Sequence, residues 1–238
     1  MNLTEMHISN PEASLISNEV DIINELLSLK GAKVLELGCG KAEKTRLVAE
    51  TAASVFALEV DEIQLAQNKT ITDMVNVSFE HGGAEKIPAD DSSFDFILMF
   101  KSLHHVPIEL MDDAFAEIHR VLKPGGYVYI SEPIYAGDFN EILRLFHDEK
   151  IVREAAFAAE KRAASAGQLT LVKQKFFLQP MHFTDISQFE QQVIGVTLTD
   201  HKLSAELLEE VRLKFNQHMT ANGADFHMPI RVDLFSKE

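Results

Sequence analysis

The stretch KVLELGCGKAEKT, Lys33 to Thr45, places an apolar run ending in an acid before two glycines separated by one residue, and then a helix start. Val34, Leu35 and Leu37 read as a short buried strand. Gly38-Cys39-Gly40 gives a backbone that a bulky ligand can approach closely. Good helix formers follow from Ala42 to Ala52, and the amides at their N-terminal end favour an anionic or strongly polar ligand. A turn of this kind binds nucleotides, and more than one class of nucleotide uses it.

Working outward, the same strand-then-helix pattern recurs. Ser54–Val60 is a second apolar strand ending in acid, followed by a helix over Glu62–Ile71. Val77–His81 is a third strand, and Phe94–Phe100 a fourth, apolar on both faces as a central parallel strand should be. Pro107 opens a helix in which Ile108, Met111, Phe115, Ile118 and Leu122 recur at three- and four-residue steps. Lys123-Pro124-Gly125-Gly126 stops it, and Tyr127–Ser131 is a fifth strand. Uninterrupted alternation predicts an α/β fold with a doubly wound parallel sheet. Upstream, Asn10-Pro11 reads as a cap and first turn of a helix running through Leu15, Ile16, Val20, Ile23 and Leu26 toward Gly31.

After Glu132 the pattern changes. Phe139, Ile142, Leu143 and Phe146 mark an amphipathic helix, and the alanine-rich Val152–Ala166 extends or follows it. Leu203, Leu207, Leu208, Val211 and Phe215 mark another, and Pro229–Phe235 a final strand, while Phe176–Thr199 fits neither pattern. One domain is expected over 1–238: an N-terminal helix to 30, a cofactor half over 31–132, a lid over 133–200 bearing on substrate, and a C-terminal helix and strand over 201–238.

Acids outnumber bases 37 to 22, a net charge of −15, which opposes binding to nucleic acid or to anionic membranes. No apolar run approaches the ~20 residues of a membrane helix, and no export signal is visible. Cys39 is the only cysteine, which excludes an intrachain disulfide and fits a cytoplasmic protein. Oligomeric state leaves no mark on the sequence.

The strand ends narrow the ligand. Glu59 lies 19 residues beyond Gly40, where an acid can accept from both hydroxyls of a ribose; that suits NAD and any other adenosine ligand equally. A dinucleotide turn wants a third glycine and no acid just before it. Here Glu43 occupies that glycine's place and Glu36 adds a second negative charge beside the turn. Both repel a pyrophosphate and welcome an ammonium or sulfonium, so the ligand is adenosine at one end and cationic at the other, as S-adenosylmethionine is.

VLELGCG (Val34–Gly40), ALEVD (Ala57–Asp61), GGAEKIP (Gly82–Pro88), SFDFILMFKSLHHV (Ser93–Val106) and RVLKPGGYVYISEP (Arg120–Pro133) stand in one order and spacing over about 100 residues. In this the sequence resembles class I S-adenosylmethionine-dependent methyltransferases, particularly the small-molecule branch. The resemblance implies a Rossmann-like, mostly parallel seven-stranded sheet with helices on both faces and a helical lid inserted after strand 5. It implies that Glu36 and the Gly38-Cys39-Gly40 backbone hold the methionine end of the cofactor, and that Glu59, with Val60 beside it, holds the ribose. Ala84 would offer its N–H to adenine, and Phe100 would line the cofactor's middle. Two departures stand out. Ala42 replaces a frequent third glycine, a change of one methyl that leaves the helix intact. Gly83 replaces the usual aspartate of Gly-Asp-Ala, so the adenine amino group needs another acceptor, Glu85 or a water.

The remaining polar residues bear on the acceptor. Cys39 reads as a small packing residue, for no general base stands near it in sequence. Adjacent His104 and His105 rarely bind one metal together, and no Cys or carboxylate spacing completes a site, so no metal is expected. The resemblance puts His105 at the mouth of the active site. Lys101, ending a buried strand, either reaches solvent or meets an anion. Tyr135, His182 and His201 are expected to face the transferred methyl, with Lys101 or Arg231 holding an anionic group of a small-molecule substrate. The competing readings are a nucleotide-dependent oxidoreductase and an inactive S-adenosylmethionine-binding interaction protein.

Overall fold

A computed structural model describes residues 5–195 and 202–238. Its strands are β1 (Lys33–Leu37), β2 (Ser54–Glu59), β3 (Val77–His81), β4 (Phe94–Phe100), β5 (Leu122–Pro133), β6 (Thr170–Phe183), β7 (Met219–Thr220) and β8 (Gly223–Ser236). The helices are α1 (Glu19–Leu26), α2 (Glu43–Ala49), α3 (Glu62–Asn68), α4 (Met111–Val121), α5 (Asp138–Leu143), α6 (Lys150–Ser165), α7 (Ile186–Phe189) and α8 (Ala205–Asn216). The sheet runs β3-β2-β1-β4-β5-β8-β6, with the short β7 paired to β8 off that path. Strands β1 to β5 are parallel, and β8 is antiparallel to both of its long neighbours.

Side chains alternate across each strand, which is why both faces need helices. Leu35, Leu37, Ile97, Met99, Val128 and Ile130 point to one face, where Phe115 and Ile118 of α4 and Ala156 and Ala159 of α6 cover them. Val34, Val55, Ala57, Leu98 and Tyr129 point to the other, under Ile22 and Ile23 of α1, Val48 of α2 and Leu65 of α3. Full burial of a side chain such as Phe115 or Ile118 stabilises by about 2 kcal/mol. Strand order reverses between β1 and β4, so the ligand crevice of such a sheet lies at their carboxyl ends.

Two sequence expectations change. The N-terminal helix starts at Glu19, not at Pro11, with the Asn18 side chain accepting from the N–H groups of Val20 and Asp21. Leu15–Ser17 is instead pinned alongside β6: Leu178 N–H donates to Leu15 O at 2.8 Å and Ser17 N–H to Leu178 O at 3.1 Å. Backbone pairing there outweighs the helical spacing of Leu15 and Ile16. Second, 170–183, within the stretch expected as lid, is β6 of the main sheet. It is an edge strand, so Pro180, which has no N–H to give, is tolerated and the apolar alternation is blurred.

Beyond Pro133, the last β5 residue paired to β8, the β6–β8 ribbon projects past the sheet. Phe183 and Phe226 at its tip pack with Phe139 of α5, Phe189 of α7 and Phe215 of α8, with ring centroids 5.1 to 6.2 Å apart. This aromatic cluster is a second core, separate from those of the sheet faces.

Candidate active site

The glycine turn follows β1. Gly38 has φ +75°, and a Cβ there would lie 2.7 Å from Ser102 Cβ, so only glycine lets β1 and the start of the β4 loop meet. Gly40, at φ +50°, faces open space instead. Ala42 takes φ +60°, so the absent third glycine costs more than one methyl: a left-handed alanine is strained by about 1 kcal/mol. Its methyl is buried against the α1–α3 face, which offsets part of that cost.

Glu59 ends β2 and braces the turn. Its Oε2 accepts from Gly40 N–H at 2.7 Å, and its Oε1 from Val60 and Asp61 N–H at 2.9 and 3.0 Å. Three amides thus fix the carboxylate; two of them fill Oε1, and Oε2 keeps a further lone pair for a hydroxyl. Behind the turn, Asn68 donates to Gly40 O at 2.7 Å and to Cys39 Sγ at 3.5 Å. Burial, together with Glu36 and Glu59, pushes the Cys39 thiol well up, which makes it a packing group rather than a nucleophile.

Glu36 is 1% exposed, and its Oε2 has no hydrogen-bond partner. Burial raises its carboxyl to about 8, with the Glu59 charge adding to the rise. The Thr45 hydroxyl pulls the other way but completes no hydrogen bond. Glu36, Gly38, Cys39, Gly40, Lys44 and Phe100 line a cavity of about 250 Å³. A second one of about 90 Å³ shares Lys44 and Phe100 and extends between α1 and α2. A buried carboxyl at a cavity wall with an unsatisfied oxygen leaves a polar group in need of a partner.

Ala84, in the loop after β3, is buried, and Val60, just after β2, is exposed. A Cβ on Gly83 would lie 2.3 Å from Glu85 Oε2, so the Glu85 carboxylate already lies over the place where an aspartate would stand.

The expected acceptor residues separate. Lys101 follows β4 with φ +56°, half-buried, its ammonium donating to Gln179 Oε1 at 3.1 Å. Burial lowers its pKa against the opposing pull of Glu19 and Glu132. His105 has a solvent-exposed edge; burial of the rest, then His104, pushes it down to about 4. Tyr135 is half-buried beside the Arg144 guanidinium. His182 does not reach the cavities: it is exposed on the projecting ribbon, its Nδ1 2.8 Å from Asp225 Oδ1. Arg231 is no anion receptor. It is 2% exposed, donates to Asp233 at 2.5 Å and Glu160 at 2.7 Å, and lies 4.4 Å over the Phe157 ring. A guanidinium so committed is part of the core. His201 lies outside the described residues.

Two groupings had no local signal in the sequence. Glu19 of α1 accepts from Tyr129 OH at 2.6 Å and Ser131 Oγ at 2.9 Å, tying the N-terminal helix to β5 beside the smaller cavity. His104, Glu132 and Glu149 meet at the ends of β4 and β5. Only the fold could reveal either, because the partners lie far apart in the chain.

With this geometry in view, comparison with known proteins is informative. Residues 35–130 match the family described as Methyltransferase domain. The demethylmenaquinone methyltransferase of Staphylococcus epidermidis is 39% identical over 108 residues, 43% of this chain and 44% of that protein. A sterol 24-C-methyltransferase of Gibberella zeae is 33% identical over 126 residues, 48% of this chain and 32% of that protein. The chain thus spans less than half the length of these curated relatives. The solved YcgJ protein of Bacillus subtilis shares the fold, with a TM-score of 0.60 at 17% identity over 92% of this chain and 97% of that one. So does an S-adenosylmethionine-dependent methyltransferase of Methanosarcina mazei, with a TM-score of 0.55 at 17% identity over 91% and 96%. The fold is an open α/β sheet with a buried acid, Glu36, beside the glycine turn after β1. Over residues 35–130 the chain is similar to methyltransferase domains.

Proposed function

We propose that this protein transfers a methyl group from S-adenosylmethionine to a small-molecule acceptor. One observation carries the reading: the buried, partnerless oxygen of Glu36 beside Gly40 and the amide-braced Glu59. A cationic amino-acid end and a ribose diol fit this pair, whereas a pyrophosphate beside Glu36 and Glu43 does not. That disfavours an oxidoreductase. When bound, S-adenosylmethionine supplies a methyl group made electrophilic by its sulfonium. The chain's own part is to hold and align: Glu36 the cationic end, Glu59 the ribose, Ala84 N–H the adenine, Phe100 the middle. Transfer is an in-line displacement, for which alignment contributes much of the rate. No general base is required unless the acceptor arrives protonated.

For the acceptor side we propose Lys101, with Tyr135 and His105 nearby along the chain. A lysine held left-handed at a strand end stores about 1 kcal/mol of strain, as functional positions do. Lys101→Gly should raise stability in urea by up to about 1 kcal/mol while turnover of an anionic acceptor falls. Unchanged turnover would remove Lys101 from the site. The helices around the aromatic cluster, within 133–200, are read as the lid; hydrogen exchange there should slow only when product cofactor and acceptor are both present. The net charge of −15 opposes nucleic-acid acceptors, and the single buried thiol suits a cytoplasmic enzyme. Among the described residues no helix is long and apolar enough to cross a membrane.

Mass spectrometry of small molecules carried through purification, followed by a thermal-shift screen of metabolites with S-adenosylhomocysteine present, tests the reading. Recovery of S-adenosylmethionine or its product, with an acceptor that is then methylated, is the expected result. A nicotinamide dinucleotide in its place would contradict it.

Gly83→Asp tests adenine recognition separately. The new acid must displace the Glu85 carboxylate that occupies its space, so affinity for S-adenosylhomocysteine should fall. The Gly83→Asp/Glu85→Ala double mutant, which clears that space, should recover it. Additive losses in calorimetry would show that the two positions share no partner.

A further inference from the structure

At the ends of β4 and β5, His105 of the proposed acceptor side stands in a larger cluster of side chains. His104, His105 and Glu149 each offer one ligand atom, and these atoms all lie within 4.8 Å of one another. A fourth donor stands at the same point: His147 Nε2 is 2.8 Å from Glu149 Oε1. His104 Nε2 is 3.5 Å from that same oxygen.

The groups behind these donors are arranged to aim them. Glu149 Oε2 is taken up by Arg153, whose Nε and Nη2 donate at 3.1 and 2.5 Å, which leaves Oε1 turned toward the histidines. On the far side of His104, Nδ1–H donates to Glu132 Oε2 at 2.5 Å. Glu132 is itself 2% exposed and held by Leu103 N–H at 3.0 Å. A carboxylate on one ring nitrogen fixes the tautomer that presents the other nitrogen, which is the usual support of a metal-binding histidine. Arg153 is anchored in turn by Asn140 Oδ1 at 3.1 Å.

We propose that His104 Nε2, His105, His147 Nε2 and Glu149 Oε1 form a binding site for a divalent transition-metal ion of the zinc class. Three imidazoles and one carboxylate are a nitrogen-rich donor set, suited to zinc or its first-row neighbours and unsuited to magnesium or calcium, which take oxygen. Tetrahedral zinc holds its ligands ~2.0–2.1 Å away, and so about 3.3 Å from each other; His104, His105 and Glu149 need close by at most about 1.5 Å. His105 and His147 are the more exposed of the four side chains, and the move falls to them. The sequence offered no such set because Glu149 and His147 lie beyond β5, in the connection from α5 to α6. The site does not depend on what reaction the cofactor half performs.

The test is calorimetric titration of the full-length protein, treated with chelator, against Zn²⁺ and Mg²⁺. Wild type should bind one equivalent of Zn²⁺ and no Mg²⁺. His105→Ala and His147→Ala, both at partly exposed positions, should each weaken Zn²⁺ at least about tenfold, whereas His227→Ala, exposed on the ribbon, should not. The visible absorption of the Co²⁺-loaded protein should show the intense bands of a tetrahedral site and lose them in His105→Ala. No Zn²⁺ binding by wild type overturns the proposal. So does binding that both variants leave unchanged, since the metal would then sit elsewhere.

Discussion

Replacing Glu59 by alanine is expected to cost the protein at least about 3 kcal/mol of stability and S-adenosylhomocysteine at least tenfold in affinity. The first loss follows from the three amides of Gly40, Val60 and Asp61 that its carboxylate satisfies. An unsatisfied buried donor costs about 1–3 kcal/mol, and partial access of water to the turn keeps the total toward the lower end. The second loss follows from removal of a charged acceptor for the ribose, worth about 1.5–3 kcal/mol. Glu59→Gln separates the two effects. Its one carbonyl oxygen still accepts, so it should recover much of the stability while leaving affinity reduced. Urea unfolding and calorimetry on both variants check this; an alanine variant as stable as wild type would mean that Glu59 does not brace the turn.

The second large effect is a pH dependence centred on Glu36. Its carboxyl titrates near 8 in the folded protein against an ordinary value of 4.5. Between those values the folded chain holds a proton that the unfolded chain has released, so stability falls as pH rises from about 4.5 to about 8. At 1.36 kcal/mol per pH unit the full loss is on the order of 5 kcal/mol, complete above pH 8. A cationic ligand reverses the preference, because it needs the carboxylate. Cofactor affinity should therefore rise with pH up to about 8, and binding at pH 7 should release a proton. Glu36→Gln should flatten the stability profile, abolish proton release and weaken binding. Unfolding curves from pH 5 to 9, and calorimetry in buffers of different ionisation enthalpy, measure each. Proton release that survives the substitution would assign it to another group.

The cofactor half was legible in the sequence for a physical reason. Stretches such as Val55–Leu58 of β2 and Phe96–Phe100 of β4 are continuous apolar runs, and their helices bury one stripe each, so local pattern and tertiary role agree. Glycine spacing also carried real information: Gly38 is required by the approach of Ser102. Legibility failed where long-range contacts override local pattern. Leu15 and Ile16 have helical spacing but pair with β6, and β6, at the sheet edge, lacks clean alternation. Arg231 had the charge of an anion receptor, yet Glu160 and Asp233 take all of it up inside the core. Glu132 and Glu149 stand too far from His104 in sequence for their meeting to show in any motif.

The central claim is that the crevice between β1 and β4 receives an adenosine ligand with a cationic amino-acid end. Its most direct test is equilibrium binding of S-adenosylhomocysteine against NAD and adenosine, to the wild-type protein at pH 8, where Glu36 is half ionised even without ligand. One molecule of S-adenosylhomocysteine should bind per chain, at least tenfold more tightly than adenosine, with NAD failing to compete. Equal affinity for S-adenosylhomocysteine and adenosine would show that Glu36 meets no cation, and displacement by NAD would contradict the account outright.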